Sequence, residues 1–337
     1  MPSVSIIIPC YNEQKTIEKM LAAIYAQTYP RADLEVVIAD GMSTDRTRDA
    51  ITAFAESHPD LHIAVVDNPK RFIPAALNAA LGEAHGEIIV RMDAHAMPNP
   101  EYVARSVADL EAGLGENVGG VWEIQPGAEG WLAYSIAVAA AHPLGVGDAL
   151  YRHAEKPAEV DTVPFGAFKR QLLALIGFFD ESLLANEDYE FNARIRKSGG
   201  KVWLDPSIRS VYFARSTLAG LAKQYFNYGF WKWKMLRRYP DTLRWRQGLP
   251  PLFVLSLAGL GLLGFLWSGF WVGLGAEAAL YLLALTAAGL QRAVRQKKVF
   301  LVFGLPLAIA VMHICWGSGF LWSIIKGNST KKNAEKK

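Results

Sequence analysis

Over residues 1 to 92, short β-branched and apolar runs alternate with longer stretches whose apolar positions recur at helical spacing. Val4 to Ile8, Leu34 to Ala39, His62 to Val66 and Glu87 to Met92 read as strands. Glu13 to Gln27, Asp45 to Ser57 and Ile73 to Ala84 read as the helices between them, with Thr44 or Asp45 suited to cap the second. Strands that are apolar along their length need cover on both faces. The pattern therefore predicts an α/β domain with a mostly parallel sheet, built by right-handed crossovers. Ligands of such sheets gather beyond the carboxyl ends of the strands, where PCYNE, ADGMSTD and RMDAHA fall.

The pattern changes near Leu249. From Leu252 to Leu290 the only charged residue is Glu277, and the run holds two spans of about twenty residues each, with a tight turn near Trp267 to Gly275. A third apolar stretch, Val299 to Ile325, follows a basic connector of Arg292, Arg295, Lys297 and Lys298. Basic loops stay in the cytosol, so this connector lies on the side of Arg237, Arg238, Arg244 and Arg246, and the hairpin returns to where it began. Three full crossings would then place Lys326, Lys331, Lys332, Lys336 and Lys337 outside. Either the third segment re-enters near His313 or the tail lies outside. Spans rich in Gly and Ala also leave room for a homo-oligomer through transmembrane helices.

An apolar share of 51% fits this membrane part, and a net charge of +3 does not suggest a nucleic-acid binder. Cys10 and Cys315 are the only cysteines, which excludes a disulfide framework or a cysteine-rich zinc site. MPSVSIIIPCYN lacks the features of a signal peptide and reads as a first strand, so the α/β domain is expected in the cytosol. Between domain and membrane, residues 217 to 247 interleave Trp231, Trp233 and Trp245 with Lys232, Lys234, Arg237 and Arg238. Stacking aromatics with cations also suit single-stranded nucleic acid. Beside a membrane hairpin they fit a helix lying on a lipid surface better.

Taken singly, the three strand-end loops also fit plain turns, helix caps or solvated strand ends. Together with NEDYEFNARIRKSG they form four motifs in order, beginning with VSIIIPCYNEQKTIEKMLAAIYAQTYP, EVVIADGMSTDRT and NAALGEAHGEIIVRMDAH. Across residues 1 to 215 the chain resembles a family 2 glycosyltransferase with the GT-A nucleotide-diphospho-sugar transferase fold. Its Asp-Ala-His form and membrane tail resemble the bacterial exopolysaccharide branch of the succinoglycan type. The resemblance implies that Pro9, Tyr11 and Glu13 line a nucleoside pocket, that Asp40 accepts a hydrogen bond from the base, and that Ser43 or Asp45 orders that loop. It also implies that Asp93 faces ribose and diphosphate and, with His95, holds Mn2+ or Mg2+. Many members carry a second aspartate where this chain has His95. The resemblance also implies that Asp188 is the base that takes a proton from a sugar hydroxyl, with Glu187 orienting the acceptor. By the same resemblance, Gly166 and Ala167 would let backbone approach a sugar. Trp231, Lys232, Trp233, Lys234, Arg237 and Arg238 would hold the lipid or its pyrophosphate. A Gln-x-x-Arg-Trp motif, which processive members carry, is absent: Gln224 is followed by Tyr225, Phe226, Asn227 and Tyr228.

The expected organisation is a GT-A catalytic domain over 1–215, amphipathic interfacial helices over 216–248, transmembrane helices over 249–326 and a basic tail over 327–337. The expected function is single-step, inverting transfer of a hexose from a nucleotide sugar, with UDP as the default, to a polyprenyl-linked saccharide at the inner (plasma) membrane of a bacterium. Two other readings stay open: transfer to bare polyprenyl phosphate, and a non-catalytic nucleotide-sugar-binding scaffold. No nucleic-acid partner is expected.

Overall fold

A computed structural model describes the chain apart from Ala185, Leu243 and residues 335–337, and leaves out the side chains of Asp241 and 327–334. Four strands, β1 (Val4–Cys10), β2 (Leu34–Asp40), β3 (His62–Asp67) and β4 (Ile88–Arg91), pair in parallel in the order β3-β2-β1-β4. These are the four that the apolar runs predict. Helices α1 (Ile17–Tyr25), α2 (Thr47–Ser57) and α3 (Ile73–Glu83) connect them. α1 begins later than its pattern suggests, because Thr16 and Ile17 both donate to the Glu13 carbonyl in a turn that precedes it. Arg46 occupies the N-cap of α2, yet the Asp45 carboxylate accepts the Thr47 N–H at 3.0 Å and so serves the same orphan donors.

Alternate residues of β1 divide the core between the two faces of the sheet. Val4, Ile6, Ile8 and Cys10 pack with Ile17, Met20, Leu21 and Ile24 of α1, while Ile7 packs with Ala76, Leu77, Ala80 and Leu81 of α3. β3, at the sheet's edge, is only partly buried, as an edge strand is.

The second half of the sheet is mixed, with the strand Ala167–Lys169 antiparallel to both its neighbours, and the apolar runs did not reveal it. After β5 (Met97–Pro98) and α4 (Tyr102–Glu111) come β6 (Asn117–Gln125), α5 (Trp131–Ala140), α6 (Pro143–Val146), β7 (Ala158–Glu159), β8 (Ala167–Lys169), α7 (Leu172–Ile176), α8 (Glu187–Lys197) and β9 (Val202–Phe213). β8 lies antiparallel to β4 with Val90 opposite Ala167, and the order continues β8-β6-β9-β5, with β7 also on β9. Gly120 is required here, since a Cβ would strike the Ile208 carbonyl.

The chain divides into two compact units: Met1–Glu123 with Leu150–Tyr212, and Ile124–Ala149 with Phe213–Lys337. Residues 124–149, which the sequence reading placed in the catalytic domain, therefore cluster with the C-terminal helices. That second unit holds α9 (Leu218–Leu236), α10 (Trp245–Leu263), α11 (Gly269–Gln296) and α12 (Leu301–Ala334). Trp245–Leu263, Gly269–Gln296 and Leu301–Lys326 are long and apolar enough to cross a membrane. The first begins before Leu252, and α12 runs unbroken through His313, so no re-entrant turn occurs there. Lys336, Lys337 and the side chains of Lys331 and Lys332 lie outside the described residues. α9 packs closely on α12: a Cβ on Gly229 would strike the Trp316 carbonyl, and one on Gly319 the Phe226 carbonyl.

On α4, burial and then the charge of Asp205 push the Asp109 carboxyl up to about 6, with Arg105 opposing. A carboxyl whose folded pKa is raised above 3.8 binds its proton more tightly folded than unfolded, so its contribution is present in acid and lost as pH rises through about 6. Because Asp109 is only partly buried, Asp109→Asn is expected to stabilise the detergent-solubilised protein by about 1 kcal/mol at pH 7.5 and to have no effect near pH 4. Thermal melts at the two pH values read the difference.

Candidate active site

Cys10 and Asp40 are register partners at the ends of β1 and β2, so the loops after them lie side by side. They are laced together. Ser43 Oγ accepts from Asn12 N at 2.9 Å, Asn12 Oδ1 from Thr44 N at 2.8 Å, Thr47 Oγ1 from Glu13 N at 2.8 Å and Asp45 Oδ2 from Gln14 N at 3.3 Å. Asn12 and Met42 adopt positive φ, which these tight loops require. Asp40 has no exposed surface. Its Oδ1 accepts the Ser43 hydroxyl at 2.5 Å, and its Oδ2 accepts Ser43 N at 3.0 Å and Arg48 Nε at 2.5 Å. A base edge reaching Asp40 would have to displace Arg48, which is 41% exposed and also paired with Asp67. Tyr11 is exposed, with the Arg71 guanidinium 5.7 Å from its ring centre. Pro9 is partly buried at the end of β1.

The loop after β4 joins both sides of the site. His95 Nδ1 donates to Glu13 Oε1 at 3.1 Å, which ties the loop to the first strand. Burial works to raise the Glu13 carboxyl, but hydrogen bonds from His95 and Thr16 outweigh it and hold it below its ordinary value. With Nδ1–H engaged by a carboxylate, a neutral imidazole presents its lone pair at Nε2, the arrangement common among metal-bound histidines. Asp93 follows β4 with its side chain 23% exposed, and its Oδ1 accepts from Arg91 Nη2 at 3.2 Å.

Arg91, 1% exposed, is the meeting point. Its Nη2 also donates to Glu187 Oε1 at 2.8 Å, and its Nη1 engages Asp188 Oδ1. Asp93 and Asp188, far apart along the chain, thus converge on one guanidinium. Glu187 and Asp188 open α8, directly after Asn186 in the left-handed region. Glu187 faces Arg91 rather than open space, since its side chain is 10% exposed. Gly166 and Ala167 are buried: the Gly166 carbonyl accepts the Arg91 N–H at 2.9 Å, and Ala167 lies in the ladder between β4 and β6. Both lie beside β4 in the sheet, closed to solvent.

In the second unit, the cationic segment divides. Lys232 is buried with Nζ 3.2 Å from the Thr242 carbonyl. Lys234 Nζ stands 4.3 Å from the Trp231 ring centre, and burial, then Lys326 and Arg238, push its ammonium down. Trp233 packs edge-on against Phe320, while Arg237 and Arg238 are exposed.

The sequence reading missed Arg91, Arg48, Asp67 and Arg71. Arg91 left one signal, a lone cation inside the apolar run IIVRM.

A parallel sheet whose strand-end loops converge on acids and an imidazole is the arrangement of a GT-A transferase. Residues 5–174 match the family described as Glycosyl transferase family 2, and the chain belongs to that family. It is 31% identical to the succinoglycan biosynthesis protein ExoA of Rhizobium meliloti over 94% of this chain and 93% of that one. A dolichyl N-acetyl-alpha-D-glucosaminyl phosphate 3-beta-D-2,3-diacetamido-2,3-dideoxy-beta-D-glucuronosyltransferase of Methanococcus voltae is 29% identical over 98% of this chain and all of its own length. Among solved structures, the mannosyltransferase PcManGT of Pyrobaculum calidifontis, in complex with GDP-Man and Mn2+, superposes with a TM-score of 0.63 at 25% identity over 96% of this chain and 87% of that one.

Burial, then Asp40, Glu13 and Asp45, push the Cys10 thiol up to about 12. At pH 8 the thiolate is then roughly one part in ten thousand. In a Cys315→Ser background, iodoacetamide should leave Cys10 unmodified at pH 8 until denaturant is added, as read by intact mass.

Proposed function

We propose that the protein is an inverting, membrane-anchored hexosyltransferase that moves a sugar from a nucleoside-diphosphate donor to a polyprenyl-linked saccharide. The observation that carries this reading is the convergence of Asp93 and Asp188 on Arg91. It brings a donor-side acid and an acceptor-side acid to one place. The acceptor is inferred from the membrane helices and from the Methanococcus voltae relative, whose name specifies a lipid-linked sugar. The donor pocket is formed by Pro9, Tyr11, Asp40, Ser43 and Asp45, with UDP or GDP as the nucleotide. The catalytic face is read as cytoplasmic, at the inner membrane, with Lys234, Arg237 and Arg238 towards lipid phosphate and Trp231 and Trp233 at the lipid surface.

A divalent cation, Mn2+ or Mg2+, fits the residues present. Asp93 offers a carboxylate and His95 an imidazole oriented by Glu13. The carboxylates around Arg91 outnumber its single positive charge. No group of three or more His, Cys, Asp or Glu side chains forms a cage among the described residues, so diphosphate oxygens would complete the coordination. When bound, such a cation neutralises charge on the departing nucleoside diphosphate. The protein's part is to hold Asp188 so that it takes the proton from the acceptor hydroxyl as that oxygen bonds the anomeric carbon and the bond to diphosphate breaks. A single displacement of this kind inverts the anomeric centre.

Release of UDP or GDP from a panel of sugar nucleotides, with a crude lipid extract and Mn2+, is the direct assay. Turnover should need a glycosylated lipid. Equal activity on bare undecaprenyl phosphate would favour the simpler acceptor. Asp188→Asn should cut turnover by at least about a thousandfold while nucleotide binding survives. Unchanged turnover in that variant would sink the assignment of the base, and a chain that binds donor but turns over none is a scaffold. Glu13→Gln should weaken Mn2+ binding by about 10- to 100-fold, read by calorimetry in the presence of the nucleotide.

A further inference from the structure

We infer that Arg91 is a positioning residue for the transfer: one buried guanidinium fixes Asp188 as base relative to Asp93 on the donor side. This rests on the reading of Asp188 given above. Arg91 is held rigidly. It ends β4, opposite Ile7 of β1; its N–H donates to Gly166 O and the next residue's N–H to Ile7 O at 3.1 Å. The fork then reaches three carboxylates from two distant parts of the chain. A planar guanidinium can do this because its donors lie in fixed directions, which an ammonium cannot match. The Phe165 ring, 5.9 Å from the guanidinium, covers it further, at a residue with φ of 63°.

Two consequences follow for chemistry. With Asp188 Oδ1 tied to Nη1, Oδ2 is the oxygen that receives the acceptor's proton, and its direction is set by the strand rather than by the α8 side chain alone. Glu187, gripping Nη2, keeps the fork from rotating, so its place next to the base has a reason besides capping α8. A packing role alone would be met by any large side chain; this arrangement needs charge and a fork together.

The test uses the full-length protein in detergent or lipid discs. Arg91→Lys keeps the charge and loses the fork. It should leave UDP or GDP affinity within about threefold of the parent while kcat falls by about fiftyfold or more. In an Asp188→Asn background the same change should cost less than about threefold further, because residues acting through one group are not additive. Glu187→Gln provides a milder probe should Arg91→Lys fail to fold; it should lower kcat by about tenfold with nucleotide affinity unchanged. The inference is overturned if Arg91→Lys, or Glu187→Gln where that is the folded variant, keeps kcat within threefold of the parent. It is equally overturned if the losses multiply in the double variant. The assignment of the base fails separately, if Asp188→Asn retains turnover whatever Arg91→Lys does.

Discussion

A guanidinium with almost no contact with water has to be repaid in ion pairs, because an uncompensated charge in a protein interior costs several kcal/mol. Arg91 meets that demand three times over, through Asp93, Glu187 and Asp188. The acids exceed the cation, so the cluster carries surplus negative charge that a divalent ion would balance. Removing one acid leaves the others paired, whereas removing Arg91 leaves like charges facing each other. The strand that carries Arg91 is therefore as much a part of the candidate site as the loop beyond it. This is a stability constraint and a functional one at the same position.

Around that cluster, polar residues at the strand ends are spent on holding loops to one another. Asn12, Ser43, Thr44 and Thr47 link the first two loops, and Glu13 links the first to the third through His95. Such cross-ties fix the geometry of these loops before any ligand arrives, which lowers the entropic cost of binding. Asp40 illustrates this: fully enclosed, it accepts from Ser43 and Arg48 and so holds the loop after β2.

Legibility of the chain followed its physics. Parallel strands covered on both faces must be apolar throughout, so Val4–Cys10, Leu34–Asp40 and Ile88–Arg91 announced themselves. β8 is three residues long and β5 and β7 two each, too short for a period to register. Acids at strand and helix ends were visible as Asp93 and Asp188. Their common partner was not, since a residue's reach across the sheet depends on register and not on local spacing. The spread of cations along 231–238 looked uniform in sequence. Packing divides it, burying Lys232 and leaving Arg237 and Arg238 outside.

The assignment of Ile124–Ala149 to the unit of the C-terminal helices carries a consequence for biosynthesis. α5 buries Ala133, Ile136, Ala137 and Ala140, and Gly304 of α12 abuts its Ser135. The ribosome releases α5 long before α12 exists, so its apolar side waits without its partner while the intervening chain is made. A protein truncated after Tyr212 would stay in that waiting state permanently, with a sticky surface where α12 belongs. Trimming away the hydrophobic tail is thus a poor route to a well-behaved soluble fragment, and maturation of the whole molecule waits on the arrival of its last helix.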